Sequence, residues 1–530
     1  MRSKRRMANK SAEEEPMRPL SNKPQYALLV LLAIIVPSFQ PVADCAVITL
    51  HPSSYKTTRA GDGGQPVANL AVLDQTGSQD NWDKYVELNT PGGISYRGYR
   101  SYFLSAGLDP AKIKAIQLKA NFRGPVRNVQ VWTWSVFDWV DRNWVALGDN
   151  IHAQDWIWRF AAFNVNGVLE RYVNTLTREI RIQLTSSNAR DDFGLDYEAL
   201  TISDSILPPV PVGQVRHWAY QIQGISAPGA VDRLGASHFD MFVLEPTRTD
   251  WSSRDKYFRT KALVARLKRG LASDGTHRPL ILAYIDIGEA EDWRWYWKWS
   301  KGWDCSTPKP ADLPEYIITC DPDGWTGNYP VAYWNPLWKD IVIYGRNQNS
   351  YPYGDYTSII DEVIKDGFDG IYLDWVEAFS NKAVQTAASL AGKDPAVEMI
   401  RFIQEMRAYA IARNPNFVIV QQNAADLCEK HPELFDTIDA ISQEAIWYDG
   451  EATDWWGDPK GHDILNPAWL SKWYVNLLNR YRAAGLPVFN CEYALSNAGS
   501  AYTKSYLKGY VPCVTRRSLS RLTTTTPPGY

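Results

Sequence analysis

The stretch GFDGIYLDWVEAF, Gly367 to Phe379, decides the fold. Residues Gly370 to Leu373 form an apolar run of the length of a buried strand, and Asp374 follows where that strand ends. A carboxylate at the end of a buried strand raises the question of what this strand end contacts. If other strands lie parallel to this one, their ends meet at the same edge.

Seven further apolar runs alternate with helix-length stretches, a pattern typical of βα units around a parallel sheet. The eight candidate strands are HWAYQIQ at 217, DMFVLEP at 240, LILAYIDIG at 280, GIYLDWV at 370, FVIVQQNA at 417, AISQEAI at 440, PVFNCEYA at 487 and YVPCVT at 510. This count predicts an α/β catalytic domain, a (β/α)8 TIM barrel over residues 215–522, with a Trp-rich insertion between 290 and 355. A doubly wound open sheet is the alternative, but the chain lacks its phosphate-binding turn.

The segment before the barrel has a different character. Residues 47–204 contain short strand-like runs such as AIQLKANF and EIRIQLTSS, which predict an all-β sandwich similar in general pattern to carbohydrate-binding modules. Residues 205–214, SILPPVPVGQ, are typical of a stiff Pro-rich linker, and residues 523–530 are predicted to be a flexible tail. The Trp residues of WTWSVFDWVDRNW and WIW either stack on sugars or fill the core, since alternate strand residues point inward.

Residues 1–46 are interpreted as a leader. The basic opening MRSKRR precedes the apolar run ALLVLLAIIV, Ala27 to Val36, which is too short to span a bilayer and fits a signal peptide. We therefore expect a secreted or periplasmic monomer with no stable membrane insertion after leader removal. A retained signal anchor is the alternative.

Composition argues against several classes of function. The formal charge of −3 leaves no basic excess for a nucleic-acid partner, and no Walker loop, CxxC pair or GxGxxG motif follows a strand-like run. The seven His residues form no HExxH pair, and no GxSxG elbow follows a strand, which weakens zinc hydrolysis and a serine triad. We expect no metal, no cofactor and no nucleic acid.

The cysteines suit an exported protein, in which disulfides form. Cys305 and Cys320 close a short loop and are the favoured pair. Cys428 with Cys491 is a second option, and the sequence alone does not fix the connectivity.

Acidic side chains gather at the predicted strand ends. The residues are Glu245, Asp286, Asp374, Glu444 and Glu492, with Gln422 and Asn423 on a sixth strand. Any one of them could merely cap a helix or pair with an Arg. Five on one barrel rim, where active groups of this fold lie, favour catalysis.

Paired carboxylates without a nucleotide or metal motif suggest glycoside hydrolysis, in which one acid protonates the leaving oxygen and another attacks or activates water. The Trp residues of EDWRWYWKWSKGW would supply walls on which sugars stack, or else pack within the insertion. Both interpretations remain open from the sequence.

Five strand-end motifs together resemble a known family. AYIDIGEAEDWRWYW, DGFDGIYLDWVE, VIVQQNA, ISQEAIWY and the closing GYVPCVTRRSLSRL are similar to the endo-α-1,4-polygalactosaminidases of glycoside hydrolase family 114, over roughly Val215 to Leu522. The resemblance implies a (β/α)8 barrel that cleaves α-1,4-linked galactosamine polymers of microbial exopolysaccharide.

The resemblance also implies roles for individual residues. The family's two acids correspond to Asp374, the expected nucleophile or base, and Glu444, the expected general acid. Tyr284, Asp286, Gly288 and Glu289 match the third-strand motif and Asn423 the fifth, so we expect them to shape the substrate site. Glu245 and Glu492 stand where the family usually has Asp, and we expect them to alter the substrate-binding geometry.

The leading interpretation is thus an exported endo-acting glycosidase whose partner is a galactosamine-containing polysaccharide. A cationic polymer would be attracted to an acidic barrel mouth. One alternative is a hydrolase of another α-linked glycan. The other is a non-catalytic carbohydrate-binding protein.

Overall fold

A computed structural model describes residues 47–246, 258–346, 356–450, 461–528 and 530. The predicted leader lies outside these ranges. Within them, no helix is both long enough and apolar enough to cross a membrane.

The N-terminal part of the described chain is all-β, as predicted. Its strands are β1 Val47–Leu50, β2 Ser54–Arg59, β3 Gly61–Asp62, β4 Val86–Asn89, β5 Arg97–Phe103, β6 Ala115–Arg123, β7 Trp132–Asp138, β8 Asn143–Asp149, β9 Arg159–Asn164, β10 Glu179–Ser186 and β11 Phe193–Ser203. One sheet has the order β3-β4-β11-β6-β9, with β1 also paired to β11, and the other has the order β2-β5-β10-β7-β8. All pairings are antiparallel.

The two sheets enclose one apolar core. Leu118 and Leu195 from the first sheet pack with Trp134 and Ile182 from the second. Trp132 and Trp134 have no exposed surface. For these two residues the core interpretation is therefore correct, and neither ring can stack on a sugar.

The barrel strands occur where the sequence predicts them. They are β12 Trp218–Gln221, β13 Met241–Leu244, β14 Leu280–Asp286, β17 Gly370–Asp374, β18 Val418–Gln422, β19 Ala440–Glu444, β20 Val488–Glu492 and β21 Val511–Val514, all parallel and in sequence order. The indole nitrogen of Trp218 on β12 donates to the carbonyl of Val511 on β21 at 2.8 Å, which draws the first and last strands together. The TIM-barrel prediction is confirmed.

Helices cover the outside of the barrel. They are α1 Ala230–Ala236, α2 Thr260–Leu267, α3 Pro336–Lys339, α4 Ile359–Asp366, α5 Lys382–Leu390, α6 Pro395–Ile411, α7 Ala468–Ala483 and α8 Ala498–Leu507. The helix before β17 has both end signals: Ser358 caps α4 by accepting from the amide of Asp361, and Gly367 ends it at φ 87°. The helix therefore ends immediately before β17, the strand that carries Asp374.

The insertion between β14 and β17 is a packed subdomain. Its hairpin consists of β15 Glu289–Glu291 and β16 Asn328–Pro330, and a disulfide joins Cys305 to Cys320 as predicted. Trp295 and Trp297 are buried, so for these two residues packing within the insertion is the correct interpretation. Cys428 and Cys491 are free thiols, which rules out the second disulfide option.

The sandwich contacts the barrel at the end opposite the strand carboxyl termini. The Asn164 side chain donates to the carbonyl of Ser237 at 2.6 Å and accepts from the amide of Leu271 at 3.1 Å, while Gln117 donates to the Leu271 carbonyl at 3.0 Å. The Pro-rich segment is also fixed, because the amide of Val210 donates to the carbonyl of Arg278 at 2.9 Å.

The C-terminal segment does not match the expectation of a flexible tail. Thr525 Oγ1 donates to the carbonyl of Val514 at 2.9 Å, and the Tyr502 hydroxyl donates to the Thr525 carbonyl at 2.5 Å. Tyr530 is buried, with its ring stacked 4.0 Å from that of His238. Aromatic packing therefore holds a segment whose Thr and Pro content suggested mobility.

Candidate active site

The carboxyl ends of neighbouring barrel strands bring the predicted acids to one rim. Asp374 is the last residue of β17 and lies in register with Asp286, the last residue of β14. Glu444 is the last residue of β19, and Asn423 lies between them, directly after β18. The strand ends thus form the acidic mouth that the sequence predicts.

Asp374 is half-buried and held through both carboxylate oxygens. The hydroxyl of Tyr284 donates to Oδ2, and the backbone amide of Trp375 donates to Oδ1 at 2.8 Å. Burial, followed by the negative charge of Glu444, raises the pKa of Asp374 to about 6. The two acids are therefore close enough for their ionisations to interact.

Glu444 has a matching environment. The hydroxyl of Tyr493 donates to Oε1, and Asn423 Nδ2 approaches Oε2 at 3.5 Å. Burial raises the pKa of Glu444, while the Tyr493 hydrogen bond and the charge of Arg517 oppose the rise. The Arg517 guanidinium lies 4.2 Å from the centre of the Tyr493 ring and positions it against the acid.

Left-handed backbone conformations cluster at these strand ends. Trp375, Asn423 and Ala445 have φ values of 55°, 54° and 47°, respectively. Such conformations cost free energy in residues other than glycine and occur preferentially at functional sites. Each one turns the chain sharply where a strand ends, so that the neighbouring polar side chain stays in the mouth.

A third carboxyl group, Glu377, belongs to the same site and was missed from the sequence. Its Oε1 accepts from Asn423 Nδ2 at 3.1 Å, whereas Oε2 is buried without a hydrogen-bond partner among the described residues. Burial, followed by the charge of Asp374, raises the pKa of Glu377 to about 8. Its place three residues after Asp374 in the quoted motif is the signal that could have found it.

Asp286 and Glu289 form the buried side of the mouth. Asp286 Oδ1 accepts from the amides of Gly288 at 3.1 Å and Glu289 at 2.9 Å, which fixes the turn after β14. Glu289 Oε2 accepts from Asn328 Nδ2 at 2.9 Å, and burial raises the pKa of Glu289 to about 10. The pKa of Asp286 is also raised well above its usual range, by burial and then by the charge of Glu289.

Glu245 lies at the same rim in an ion-pair cluster. Arg294 contacts Glu245 through Nη1 at 2.6 Å and Nη2 at 3.0 Å, and its Nη2 also reaches Glu291 at 3.1 Å. Arg294 and Glu291 fall within the AYIDIGEAEDWRWYW motif but were not singled out. Glu245 is thus paired with Arg294, and a contribution of Glu245 to substrate binding stays a prediction.

Glu492 lies beneath the mouth. It has no exposed surface, and its oxygens accept from the amides of Ile446, Trp447 and Tyr448 and from the Asn490 side chain at 2.6 Å. Its carboxylate therefore holds the loop that follows Glu444. Direct contact between Glu492 and a substrate stays a prediction.

The comparisons with known proteins agree with this geometry. Residues 215–527 match the model of glycoside-hydrolase family GH114, and residues 70–197 match that of an N-terminal glycosyl-hydrolase-114-associated domain. An uncharacterized protein of Deinococcus radiodurans is 30% identical over 316 residues, 58% of this chain and 82% of that protein. One of Methanocaldococcus jannaschii is 30% identical over 326 residues, 58% of this chain and 78% of that protein.

Two solved structures are similar at a lower level. The glycoside hydrolase domain of PelA from Pseudomonas aeruginosa is 18% identical with a TM-score of 0.38, over 57% of this chain and 95% of that one. Aspergillus fumigatus Ega3, solved with galactosamine, is 14% identical with a TM-score of 0.35, over 59% of this chain and 94% of that one.

Proposed function

Because this chain belongs to glycoside-hydrolase family GH114, we propose that it is an exported endo-acting glycosidase that cleaves α-1,4-linked galactosamine polymers. Asp374 and Glu444 are its two proposed catalytic carboxyl groups. The observation that supports this assignment is the pair itself. Two half-buried carboxyl groups lie at the ends of β17 and β19, each bound by a tyrosine hydroxyl, and the charge of one affects the ionisation of the other.

The environments of the two acids suit different roles. Burial raises the pKa of Glu444, which is the direction that a general acid requires. The pKa of Asp374 is about 6, so this group loses its proton as pH rises through that value. Asp374 is then ionised at neutral pH, as a nucleophile or base requires.

In the proposed reaction, Glu444 gives its proton to the glycosidic oxygen as the bond from that oxygen to the anomeric carbon breaks. Asp374 either attacks the anomeric carbon or removes a proton from the attacking water. Overall, one water molecule is added across the glycosidic bond. Tyr284 and Tyr493 hold the two carboxyl groups in place.

The charge of the mouth supports an amino sugar as substrate. Asp286, Glu289 and Glu377 all have raised pKa values, because burial and neighbouring acids disfavour their ionised forms. An ammonium group bound near them would favour ionisation and gain an ion pair. A neutral glycan would gain less from this cluster.

The test is product formation from α-1,4-galactosamine oligomers, unacetylated and acetylated. Wild type should release shorter oligomers, and Asp374→Asn should lose at least about 10³-fold in kcat. Asp436→Asn, at an exposed position of the barrel, is the matched control and should be unaffected.

Three outcomes would change the assignment. Wild-type turnover of another α-linked glycan alone would place the enzyme on a different substrate. No turnover of any glycan, with oligomer binding retained, would identify a non-catalytic binding protein. Normal turnover by folded Asp374→Asn would remove Asp374 from the mechanism.

A further inference from the structure

We propose that the outer face of the five-stranded sheet, β2-β5-β10-β7-β8, is a second carbohydrate-binding site that takes a polysaccharide chain. The face is formed by four aromatic residues and one arginine, Tyr99, Phe137, Trp139, Trp144 and Arg181, which are called the aromatic platform below. The proposed site lies outside the barrel. The proposal rests on the proposed function only for the choice of polymer probe.

Strand register places the platform on the outside of the sandwich. Tyr99 on β5 is opposite Gln183 on β10, and Gln183 is opposite Ser135 on β7. Alternate residues of the same strands, including Tyr102 and Trp134, point into the core. The platform is therefore the solvent face of the sheet, and its aromatic residues are not needed to fill the sandwich.

The rings form one continuous group. The Phe137 ring lies 4.9 Å from that of Trp139 and 4.9 Å from that of Trp144, and the Trp144 ring lies 6.3 Å from that of Tyr99. All four residues keep part of their surface exposed. Large rings partly open to solvent suit the flat apolar faces of pyranose sugars.

Arg181 fixes these rings in place. Its guanidinium lies 5.0 Å from the centre of the Tyr99 ring and 4.7 Å from that of Trp139. Glu179 accepts from Arg181 Nε at 2.7 Å and Nη2 at 2.9 Å, which neutralises the arginine. A prearranged platform loses little side-chain entropy when a ligand binds.

Two polar side chains between the rings point to a ligand. Gln183 and Ser135 are only 8% and 7% exposed. Neither side chain makes a hydrogen bond to another described residue, and their polar atoms still reach the surface. A nearly buried amide and hydroxyl left open in this way are ready to bind ligand hydroxyl groups.

These features favour a sugar polymer over a protein partner. Gln183 and Ser135 are uncharged, Arg181 is paired with Glu179, and aromatic rings lie beside hydrogen-bonding groups. The exposed Lys56 on β2 borders this face opposite Tyr99. The opposite sheet bonds to the barrel through Gln117 and Asn164, so the platform faces away from the barrel and stays open to a long chain.

The test is electrophoresis of the full chain through gels that contain dissolved polysaccharide. All proteins carry Asp374→Asn, so that the polymer is not cut. The probes are the α-1,4-galactosamine polymer, its acetylated form and a neutral α-glucan. Tyr99→Ala and Trp144→Ala remove platform rings, and Trp82→Ala is the matched control at an exposed ring of the same domain.

The expected result is retardation in at least one gel, weakened about tenfold or more in Kd by Trp144→Ala and by Tyr99→Ala but not by Trp82→Ala. In the active background, Trp144→Ala should slow hydrolysis of long polymer and leave short soluble oligomers unchanged, which also shows that the variant folds. Absence of retardation in every gel, or retardation that neither platform substitution weakens, would overturn the proposal. So would a concentration-dependent dimer that Trp144→Ala abolishes, because a second copy would then cover the face.

The test separates this proposal from the proposed function. Retardation lost with Trp144→Ala supports the platform even if wild type cleaves none of the polymers. Cleavage without platform-dependent retardation supports the barrel assignment alone.

Discussion

The hydroxyl of Tyr284 donates a hydrogen bond to Oδ2 of Asp374, from the neighbouring strand of the barrel. This bond favours the ionised carboxylate and holds the pKa of Asp374 lower than burial and the charge of Glu444 would otherwise set it. The pair therefore determines the pH below which the reactive group is lost.

Tyr284→Phe should move the acid limb of activity to higher pH. In wild type, kcat/KM should fall as pH drops through about 6, where Asp374 takes up a proton. Without the hydroxyl, the pKa of Asp374 rises, and the limb should shift upward by about one pH unit. Tyr506→Phe, at a half-exposed helical position, is the control. An unchanged limb in Tyr284→Phe would mean that another group sets it.

Glu444→Gln should lower kcat by about 10²- to 10⁴-fold on natural oligomers, because an amide cannot give up a proton to the leaving oxygen. An aryl glycoside with an activated leaving group should restore much of this loss. The measurement is the ratio of the two rates in variant and wild type. Equal losses on both substrates would contradict the role of general acid, and Glu433→Gln serves as the exposed control.

Glu377→Gln should separate amino sugars from acetylated ones. The buried Oε2 of Glu377, which has no hydrogen-bond partner among the described residues, would gain an ion pair with an ammonium group, and an uncharged amide would not. We expect KM for unacetylated oligomers to rise about tenfold while KM for acetylated oligomers stays the same. A matching rise for both substrates would show that Glu377 acts only through Asn423.

Glu377→Gln should also raise the stability of the folded protein at high pH. The pKa of folded Glu377 is about 8, above its ordinary value of 4.5, so the folded chain binds this proton more tightly than the unfolded one. That contribution to stability is complete below pH 4.5 and is lost as pH rises through 8. Above pH 8, Glu377→Gln should unfold at a higher denaturant concentration than wild type. A lower midpoint there would contradict the raised pKa.

Gly288→Ala should reduce activity by moving the catalytic loop. A Cβ at this position would lie 2.4 Å from the carbonyl oxygen of Trp375 and 2.6 Å from the ring of the same residue, which directly follows Asp374. We expect at least about a tenfold loss in kcat and some loss of stability. Gly499→Ala is the control, because a Cβ there has no neighbour within 4 Å. Equal activity of both variants would show that the Trp375 loop can move without cost.

The sequence was sufficient for the barrel because its strands are short apolar runs bounded by turns, and each strand pairs with the next one in the chain. The same logic placed Asp374 and Glu444 at the rim. It did not distinguish Glu492 from them, since depth below the mouth depends on the loop that covers a residue: three amides after Glu444 surround that carboxylate. Strand position alone carries no information about that loop.

The neighbours of Glu444 could not be predicted from the sequence. Tyr493 follows Glu492 directly, and Arg517 lies in the closing motif, but only the closed barrel brings both beside Glu444. The Trp residues were ambiguous for a related reason. Trp134 and Trp139 belong to one sequence run, but Trp134 lies within β7 and points into the core, whereas Trp139 directly follows the strand and is half-exposed.

The bonds of Asn164 and Gln117 to Leu271 have a consequence for how the chain loses its structure. The side chain of Leu271 is fully buried, and its backbone amide and carbonyl are bonded by the sandwich. Melting of the sandwich would leave those groups without their partners and expose apolar surface at the base of the barrel. Heat denaturation should therefore be cooperative across both domains, and a chain cut at the Pro-rich segment should yield a barrel that melts earlier and aggregates more readily than the intact protein.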